Sequence, residues 1–245
     1  MLNNLFSAAK DSLSFLLVCV AIFAALVLIA WLAQKYLCRS LPKCGGTRYV
    51  ALVAMFSALA GVLMLFEIPL FFAPSFYQMD LSEIPVLLCS FYLGPVSGVI
   101  CEFVKILIKL ILKSTSTAFV GDFANFVIGC SFVLPASIIY HAKKTKKTAI
   151  IGMAAGTGVM TVFGSLFNAV YLLPTFSALY GLPLEALVGM GTSVNGAINS
   201  VSTLVLFAVV PFNLLKGVIV SVVTFLLYKR LESVLFRKHH TKIKT

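Results

Sequence analysis

The sequence predicts an all-α membrane protein with several spanning helices, and three observations support this: its composition, its long apolar runs and the placement of its basic residues. Of its 245 residues, 60% are hydrophobic and only 11% are charged, which leaves no soluble domain of useful size. Several runs reach the length of about 18 apolar residues that crosses a bilayer. These runs are solidly apolar, whereas the strands of a membrane β-barrel would alternate apolar and polar residues.

The net charge of +11 indicates membrane topology rather than nucleic-acid binding. Most Lys and Arg residues fall in three clusters, at 35–48, 143–147 and 229–244. Each cluster lies in a short loop or tail beside an apolar run, and the positive-inside rule assigns such segments to the cytoplasm. The pattern predicts a multi-pass protein of the cell membrane, in contact with the lipid bilayer, with its N-terminus outside and its C-terminus cytoplasmic.

The six cysteines are predicted to be free thiols, and no metal site is expected. Cys38 and Cys44 flank a basic loop predicted to be cytoplasmic, where disulfides are rare. Most of the others lie within apolar runs, where Cys packs as a small hydrophobic residue. Neither the cysteines nor the three histidines have the spacing of a zinc site.

Seven spans are predicted, namely one extra N-terminal helix followed by a six-helix unit. The first span covers 12–34, and its basic residues follow a long apolar run, unlike those of a signal peptide. The later spans are predicted at 49–66, from Ser82 to a tight Gly94–Pro95 turn, from that turn to 112, and at 121–140, 149–173 and 197–227. The chain then divides into the extra helix with its basic loop (1–45), a six-helix substrate-binding membrane domain (46–235) and a basic cytoplasmic tail (236–245).

Two outer segments join these helices. Residues 67–79 contain two prolines and four aromatic residues, which predicts a loop or lid; the second outer segment, 174–195, is predicted to be partly helical. Asp80 or Ser82 is expected to cap the following helix; with Ser82 as the cap, Glu83 favours the positive helix start, and a structural capping role is expected for Asp80 and Glu83.

Three charged residues interrupt the fourth apolar run on one helical face. Glu102, Lys105 and Lys109 follow an i, i+3, i+7 pattern, and Glu102 is expected to form an ion pair with Lys105. Ionisable groups at this depth face a protein interior or a wet cavity. An alternative is a proton relay through Glu102, Lys105 and Asp122 in an ion-coupled secondary transporter, although the sequence has no visible repeat.

Polar side chains in the later apolar runs favour a ligand site. Asn168 and Asn213 each offer a donor and an acceptor, and Lys216 follows Asn213 by one helical turn. Interhelical hydrogen bonding is the alternative explanation for each Asn. Flat aromatic faces from the 67–79 segment would complete a mostly apolar site for a neutral, planar, heteroaromatic ligand with a hydroxylated tail; these are Phe71, Phe72, Phe76 and Tyr77. No catalytic signature accompanies them, so an enzyme is not expected.

Several stretches, in this order, resemble the riboflavin-specific S component of energy-coupling factor (ECF) transporters. They are DLSEIPVLLCSFYLGPVSGV (80–99), a helix containing VK (104–105), GDFANFVIG (121–129), LFNAVYLLP (166–174) and VPFNLLKG (210–217). The resemblance runs from about residue 48 to about residue 235 and does not include the first helix.

The resemblance implies a high-affinity riboflavin-binding subunit of an ATP-driven vitamin uptake transporter. Such a subunit captures riboflavin outside and releases it into the cytoplasm with a transmembrane coupling subunit and two ATPase subunits. Riboflavin is then a transported ligand and not a cofactor; FMN, a flavin analogue or a different vitamin are alternatives. The implied ligand-binding residues are Asn168, Asn213 and Lys216, with Gln78 and Asn125 as weaker transfers.

The second predicted helix carries small residues on one face, including Ala51, Ala54 and Ala58. Small residues allow helices to approach closely. Packing within the bundle would explain this face, whereas the resemblance implies contact with the coupling subunit.

Overall fold

The computed structural model describes residues 2–38, 41, 45–74, 76–115, 117 and 119–231, with the backbone alone for 2–16, 229 and 231. Long apolar runs form helices that satisfy their own backbone groups, as a bilayer requires. The helices are α1 (Leu2–Tyr36), α2 (Gly46–Leu63), α3 (Glu83–Leu93), α4 (Pro95–Leu112), α5 (Val120–Lys143), α6 (Lys146–Phe167), α7 (Leu173–Tyr180), α8 (Leu184–Thr192), α9 (Val201–Leu204) and α10 (Val210–Leu231).

Two π-helical segments lie within the last long helices. Asn168–Leu172 joins α6 to α7, and Val205–Val209 joins α9 to α10. The 67–79 segment contains little helix, as predicted, and two short antiparallel strands order it: β1 (Ile68–Pro69) and β2 (Gln78–Met79). The second outer segment is partly helical, as predicted, because α7 and α8 occupy most of it.

Within the described residues, five helical stretches are long and apolar enough to cross a membrane. They are Leu17–Tyr36, Gly46–Leu63, Val120–Lys143, Lys146–Tyr180 and Val201–Tyr228. Helix α4 has 18 residues and carries the three buried charges. Helix α3 has only 11 residues and is therefore about 16 Å long, roughly half of a 30 Å hydrocarbon core. The prediction of a full span for α3 was therefore wrong.

The tight turn between α3 and α4 forms at the predicted glycine and proline. Gly94 has φ 113°, a conformation that glycine adopts without steric cost. Pro95 then occupies the first position of α4, where its missing N–H is harmless. The turn reverses the chain, so both helices contribute side chains to the same buried charged layer.

Helix α1 packs against α4 and α5. The ring of Phe23 lies 4.5 Å from that of Phe103 and 5.9 Å from that of Phe126. At its other end, Gln34 Oε1 accepts a hydrogen bond of 3.4 Å from the backbone N–H of Val96, at the start of α4. The extra helix is therefore docked on the bundle by side chains between Phe23 and Gln34.

Another close helix contact joins α5 to α6. A Cβ atom at Gly152 would lie 2.6 Å from the carbonyl oxygen of Ala136, and one at Gly156 would lie 2.5 Å from that of Phe132. Bare glycines therefore permit this backbone approach, as is common between membrane helices.

The described cysteines are free thiols, as predicted: Cys19, Cys38, Cys89, Cys101 and Cys130. Cys44 and the predicted tail at 236–245 lie outside the described residues.

Candidate functional site

A cavity of about 180 Å³ lies at one end of the bundle, between the 67–79 segment and the adjacent ends of α4, α5, α7 and α10. Seven of the eight residues predicted to bind a ligand line it: Phe76, Tyr77, Gln78, Asn125, Asn168, Asn213 and Lys216. They come from four separate parts of the chain, which the fold brings together. Phe71 is not part of the lining; its side chain is 92% exposed.

The π-helical turn after α6 places Asn168 in the cavity wall. Its Nδ2 donates to the carbonyl oxygen of Gly164 at 2.8 Å, while its Oδ1 accepts from the Tyr77 hydroxyl at 2.9 Å. Such π segments often occur at functional sites. The Tyr77–Asn168 bond ties the 67–79 segment to the bundle.

Asn213 projects from the first turn of α10 and has one unused donor. Its Nδ2 is buried and has no hydrogen-bond partner among the described residues. Gly164 makes room for this amide, because a Cβ atom there would lie 3.0 Å from Nδ2. A buried donor without a partner is costly, and a ligand acceptor in the cavity would satisfy it.

Lys216 lies one turn after Asn213 in the same wall. Its Nζ is 3.0 Å from Asp80 Oδ2 and 3.1 Å from Glu83 Oε1, and all three side chains are buried. Glu83 lies in the first turn of α3, as predicted, and its carboxylate also pairs with two lysines, which was not predicted. Ser82 precedes α3 as predicted but makes no side-chain cap; Asp80 Oδ1 instead accepts from the Ser82 N–H at 2.9 Å.

A second lysine completes a charged layer under the cavity. Lys105 Nζ lies 2.8 Å from Glu83 Oε2 and 2.5 Å from Glu102 Oε2, which confirms the predicted Glu102–Lys105 pair. Pairing explains how these groups are tolerated in a membrane interior, where isolated charges are expensive.

Charges nearer the cavity opening are also paired. Lys109 Nζ lies 2.5 Å from Asp122 Oδ1, and both residues line the cavity. At the surface, Lys113 pairs with Glu67, another lining residue. Each lysine that faces the cavity thus has a carboxylate partner, an arrangement suited to a neutral ligand.

Aromatic rings supply the apolar part of the wall. The Tyr77 ring centroid is 4.7 Å from that of Phe76 and 5.7 Å from that of Phe212. Phe212 and Phe176 line the cavity but were not predicted. Phe212 directly precedes Asn213 in the sequence, and this adjacency could have indicated that it lines the cavity. The sequence around Phe176 gives no comparable indication.

The small-residue face of α2 is exposed, on the surface of the bundle. Ala51, Ala54 and Ala58 are all exposed, whereas Gly61 faces inward, where an added Cβ would lie 2.6 Å from Ile108. The three alanine side chains therefore lie at the surface of this chain and not in its buried interior.

Known proteins resemble this chain over most of its length. Over 185 residues it is 36% identical to the riboflavin transporter RibU of Staphylococcus aureus (strain TCH60), covering 76% of this chain and 90% of that protein. Over 184 residues it is 28% identical to the riboflavin transporter FmnP of Bacillus subtilis (strain 168), covering 75% and 91%. A solved structure of the S component of a bacterial ECF transporter matches with a TM-score of 0.62 and 35% sequence identity, covering 78% of this chain and 99% of that one.

The fold defines a multi-pass membrane protein with a cavity between its helices. A family model described as "ECF transporter, substrate-specific component" matches residues 48–228. The chain belongs to this family. Helix α1 precedes the matched residues.

Proposed function

We propose that this protein binds riboflavin in the cavity and serves as the vitamin-capturing subunit of an ATP-driven uptake system. The observation that carries the proposal is the convergence of Asn168, Asn213 and Lys216 on one cavity. The riboflavin transporters of S. aureus and B. subtilis, at 36% and 28% identity, support the choice of ligand.

The chemistry of the wall suits a flavin. Phe76, Tyr77 and Phe212 offer faces for a flat ring system. The free donor at Asn213 Nδ2 matches a carbonyl oxygen on the pyrimidine edge of the ring. The paired charges around the opening suit a neutral polyhydroxylated tail, which forms hydrogen bonds without a counterion.

Binding requires the cavity to widen. Sites for drug-sized ligands occupy about 300–1,000 Å³, whereas this cavity is about 180 Å³. The 67–79 segment is the part that can move at least cost, because its strands have two residues each. Its outward movement would break the Tyr77–Asn168 bond, which links it to the cavity wall. We infer that this segment shifts outward as riboflavin enters.

Fluorescence titration of the purified protein tests the ligand. Riboflavin should bind at a near-equimolar ratio, and stacking on the aromatic wall should quench its fluorescence. About −0.3 kcal/mol per atom over roughly 27 atoms gives about −8 kcal/mol, or micromolar affinity, and scavenging demands a submicromolar Kd. Equal affinity for thiamine or biotin would contradict the assignment. Uptake that persists without ATPase partners would instead favour an ion-coupled transporter.

We further propose that the exposed alanine face of α2 docks on the transmembrane coupling subunit, which joins two ATPase subunits. Lipid acyl chains are as apolar as this face, so hydrophobicity alone does not favour a partner helix over lipid. Close packing of small residues does favour the partner helix. The orientation we propose has the N-terminus outside and the cavity facing out, since Lys35, Arg48, 143–147 and Arg230 lie at the other end of their helices.

Ala58→Trp is the variant that tests this docking face. The bulky ring should hold the two backbones apart, so uptake and co-purification with the coupling subunit should be lost while riboflavin binding remains. Val162→Trp is a matched control, because Val162 is 63% exposed on α6. Proportional loss of binding and uptake in Ala58→Trp would instead assign the face to internal packing, and normal uptake would place the docking surface elsewhere.

A further inference from the structure

A second concave site lies on the outside of the bundle, between α6 and α10. It is a groove of about 500 Å³. Its lining is almost entirely apolar: Ile150, Met153, Ala154, Thr157, Leu214, Val218, Ser221, Val222, Phe225 and Leu226. None of these residues belongs to the riboflavin cavity, and the proposed function does not use them.

Small residues create the groove. Gly217 lets α10 touch α6, since an added Cβ would lie 2.5 Å from Thr157 Cγ2. Ala154 and Ser221 leave space on either side of this contact. The Thr157 hydroxyl donates to the carbonyl oxygen of Met153 at 2.9 Å, so it does not need a hydrogen bond to a molecule in the groove. The groove therefore suits a hydrocarbon chain.

One end of the groove is strongly basic. Lys146 lies one turn before Ile150, and Arg230 lies one turn after Leu226, so each basic residue is on the same helical face as a groove residue. Lys146, Lys147 and Arg230 are exposed.

The groove has the depth of one lipid leaflet. Its α10 wall runs from Leu214 to Leu226, which at 1.5 Å per residue is about 18 Å. One leaflet contributes about 15 Å of a 30 Å hydrocarbon core. An acyl chain that fills the groove would thus bring its phosphate to the level of the basic residues.

We propose that this groove is a binding site for an anionic phospholipid, with an acyl chain between α6 and α10 and the headgroup at Lys146, Lys147 and Arg230. Each basic residue near an anionic headgroup contributes about fivefold in affinity. A zwitterionic lipid with the same chains would gain much less from this cluster. The basic residues therefore select a lipid by its headgroup charge, and the shape of the groove holds the acyl chain.

Native mass spectrometry of the full-length protein in detergent tests the proposal, with palmitoyl-oleoyl phosphatidylglycerol and palmitoyl-oleoyl phosphatidylcholine as probes. The wild type should retain one phosphatidylglycerol at least tenfold more tightly than phosphatidylcholine. The triple variant Lys146→Gln, Lys147→Gln, Arg230→Gln should lose this preference. Ala154→Trp, which fills the groove, should lose the bound lipid at least tenfold.

Two controls keep the result specific. Ile151→Trp adds the same ring at an exposed neighbour outside the groove lining, and Lys35→Gln removes a basic charge on α1; both should bind phosphatidylglycerol as the wild type does. Riboflavin titration reports folding for every variant. Equal binding of both lipids, or phosphatidylglycerol binding that survives Ala154→Trp, overturns the proposal. If Ala154→Trp loses the coupling subunit and keeps the lipid, the groove is a protein interface.

Discussion

The two ends of the bundle use their aromatic and polar residues in opposite ways. At the cavity end, Phe76, Tyr77 and Phe212 surround open space, and the Asn213 amide keeps a donor without a partner. At the basic end, aromatic rings fill the interior. There, the rings of Phe91 and Tyr140 are 4.6 Å apart, and the Tyr140 and Tyr228 hydroxyls are 2.9 Å apart.

This difference separates residues that recognise a ligand from residues that hold the fold. Open space and unpaired donors weaken the packing of the free protein, but a ligand can fill the space and accept the hydrogen bonds. Changes at the cavity end should therefore alter affinity more than stability. Filled space contributes packing to the folded state only, so changes at the basic end should alter stability more than affinity. The charged layer lies between the two and should affect both.

Lys216→Met should have the largest effect, because Lys216 belongs to the cavity wall and to the charged layer. Removing one partner of a buried ion pair destabilises a protein by about 3–5 kcal/mol, and a lost ligand bond lowers affinity by roughly ten- to a hundredfold. Unfolding in sodium dodecyl sulfate measures the loss of stability, and riboflavin titration measures the loss of affinity.

Asp80→Asn is the matched control for Lys216→Met. It weakens the same ion pair while Lys216 and its second partner, Glu83, remain in place. It should therefore reduce stability with less loss of riboflavin affinity. Should Lys216→Met bind riboflavin as the wild type does while the fold survives, Lys216 is structural and the cavity site is misassigned.

Phe91→Ala should lower stability without changing the site. Phe91 is buried among aromatic residues of the basic end, and truncation of a core Phe costs about 3–5 kcal/mol. The melting temperature should fall, while the Kd of the folded fraction stays that of the wild type. Phe163→Ala, on a side chain that is 37% exposed, should shift the melting temperature much less. A Phe91→Ala protein of normal stability that binds riboflavin poorly would break the division between the two ends.

Much of this fold could be predicted, because the helix length needed to cross a bilayer and the position of basic residues both leave signals over long stretches of sequence. The Gly94–Pro95 turn and the Glu102–Lys105 pair are local, so spacing alone predicted them. The partners of Asp80 and Glu83 could not be predicted, since Lys216 lies more than 130 residues away in the sequence and only tertiary packing brings it close. The bounds of α3 were predicted closely, but its 11 residues are too few to cross a bilayer, and its uniformly apolar sequence did not reveal that the chain enters it from a buried loop.

Asn213→Ala should change affinity alone. The amide donor has no hydrogen-bond partner in the described part of the chain, so its removal costs the folded protein little. The ligand group that it serves would be left unpaired, and affinity should fall by roughly tenfold to a hundredfold. Asn168→Ala should act similarly on affinity but also reduce stability, because Asn168 bonds Gly164 and Tyr77. Asn199→Ala, at an exposed Asn, is the control.

Tyr77→Phe should produce the smallest effect and sharpen the account of the cavity end. The hydroxyl donates to Asn168 Oδ1 at 2.9 Å, while the ring remains available for stacking. If this bond holds the 67–79 segment closed before binding, its loss should speed riboflavin entry by about fivefold, the equivalent of a net hydrogen bond of about 1 kcal/mol. Stopped-flow quenching measures the rate. A faster dissociation rate with unchanged entry would mean that the bond persists in the complex, so that the segment opens elsewhere.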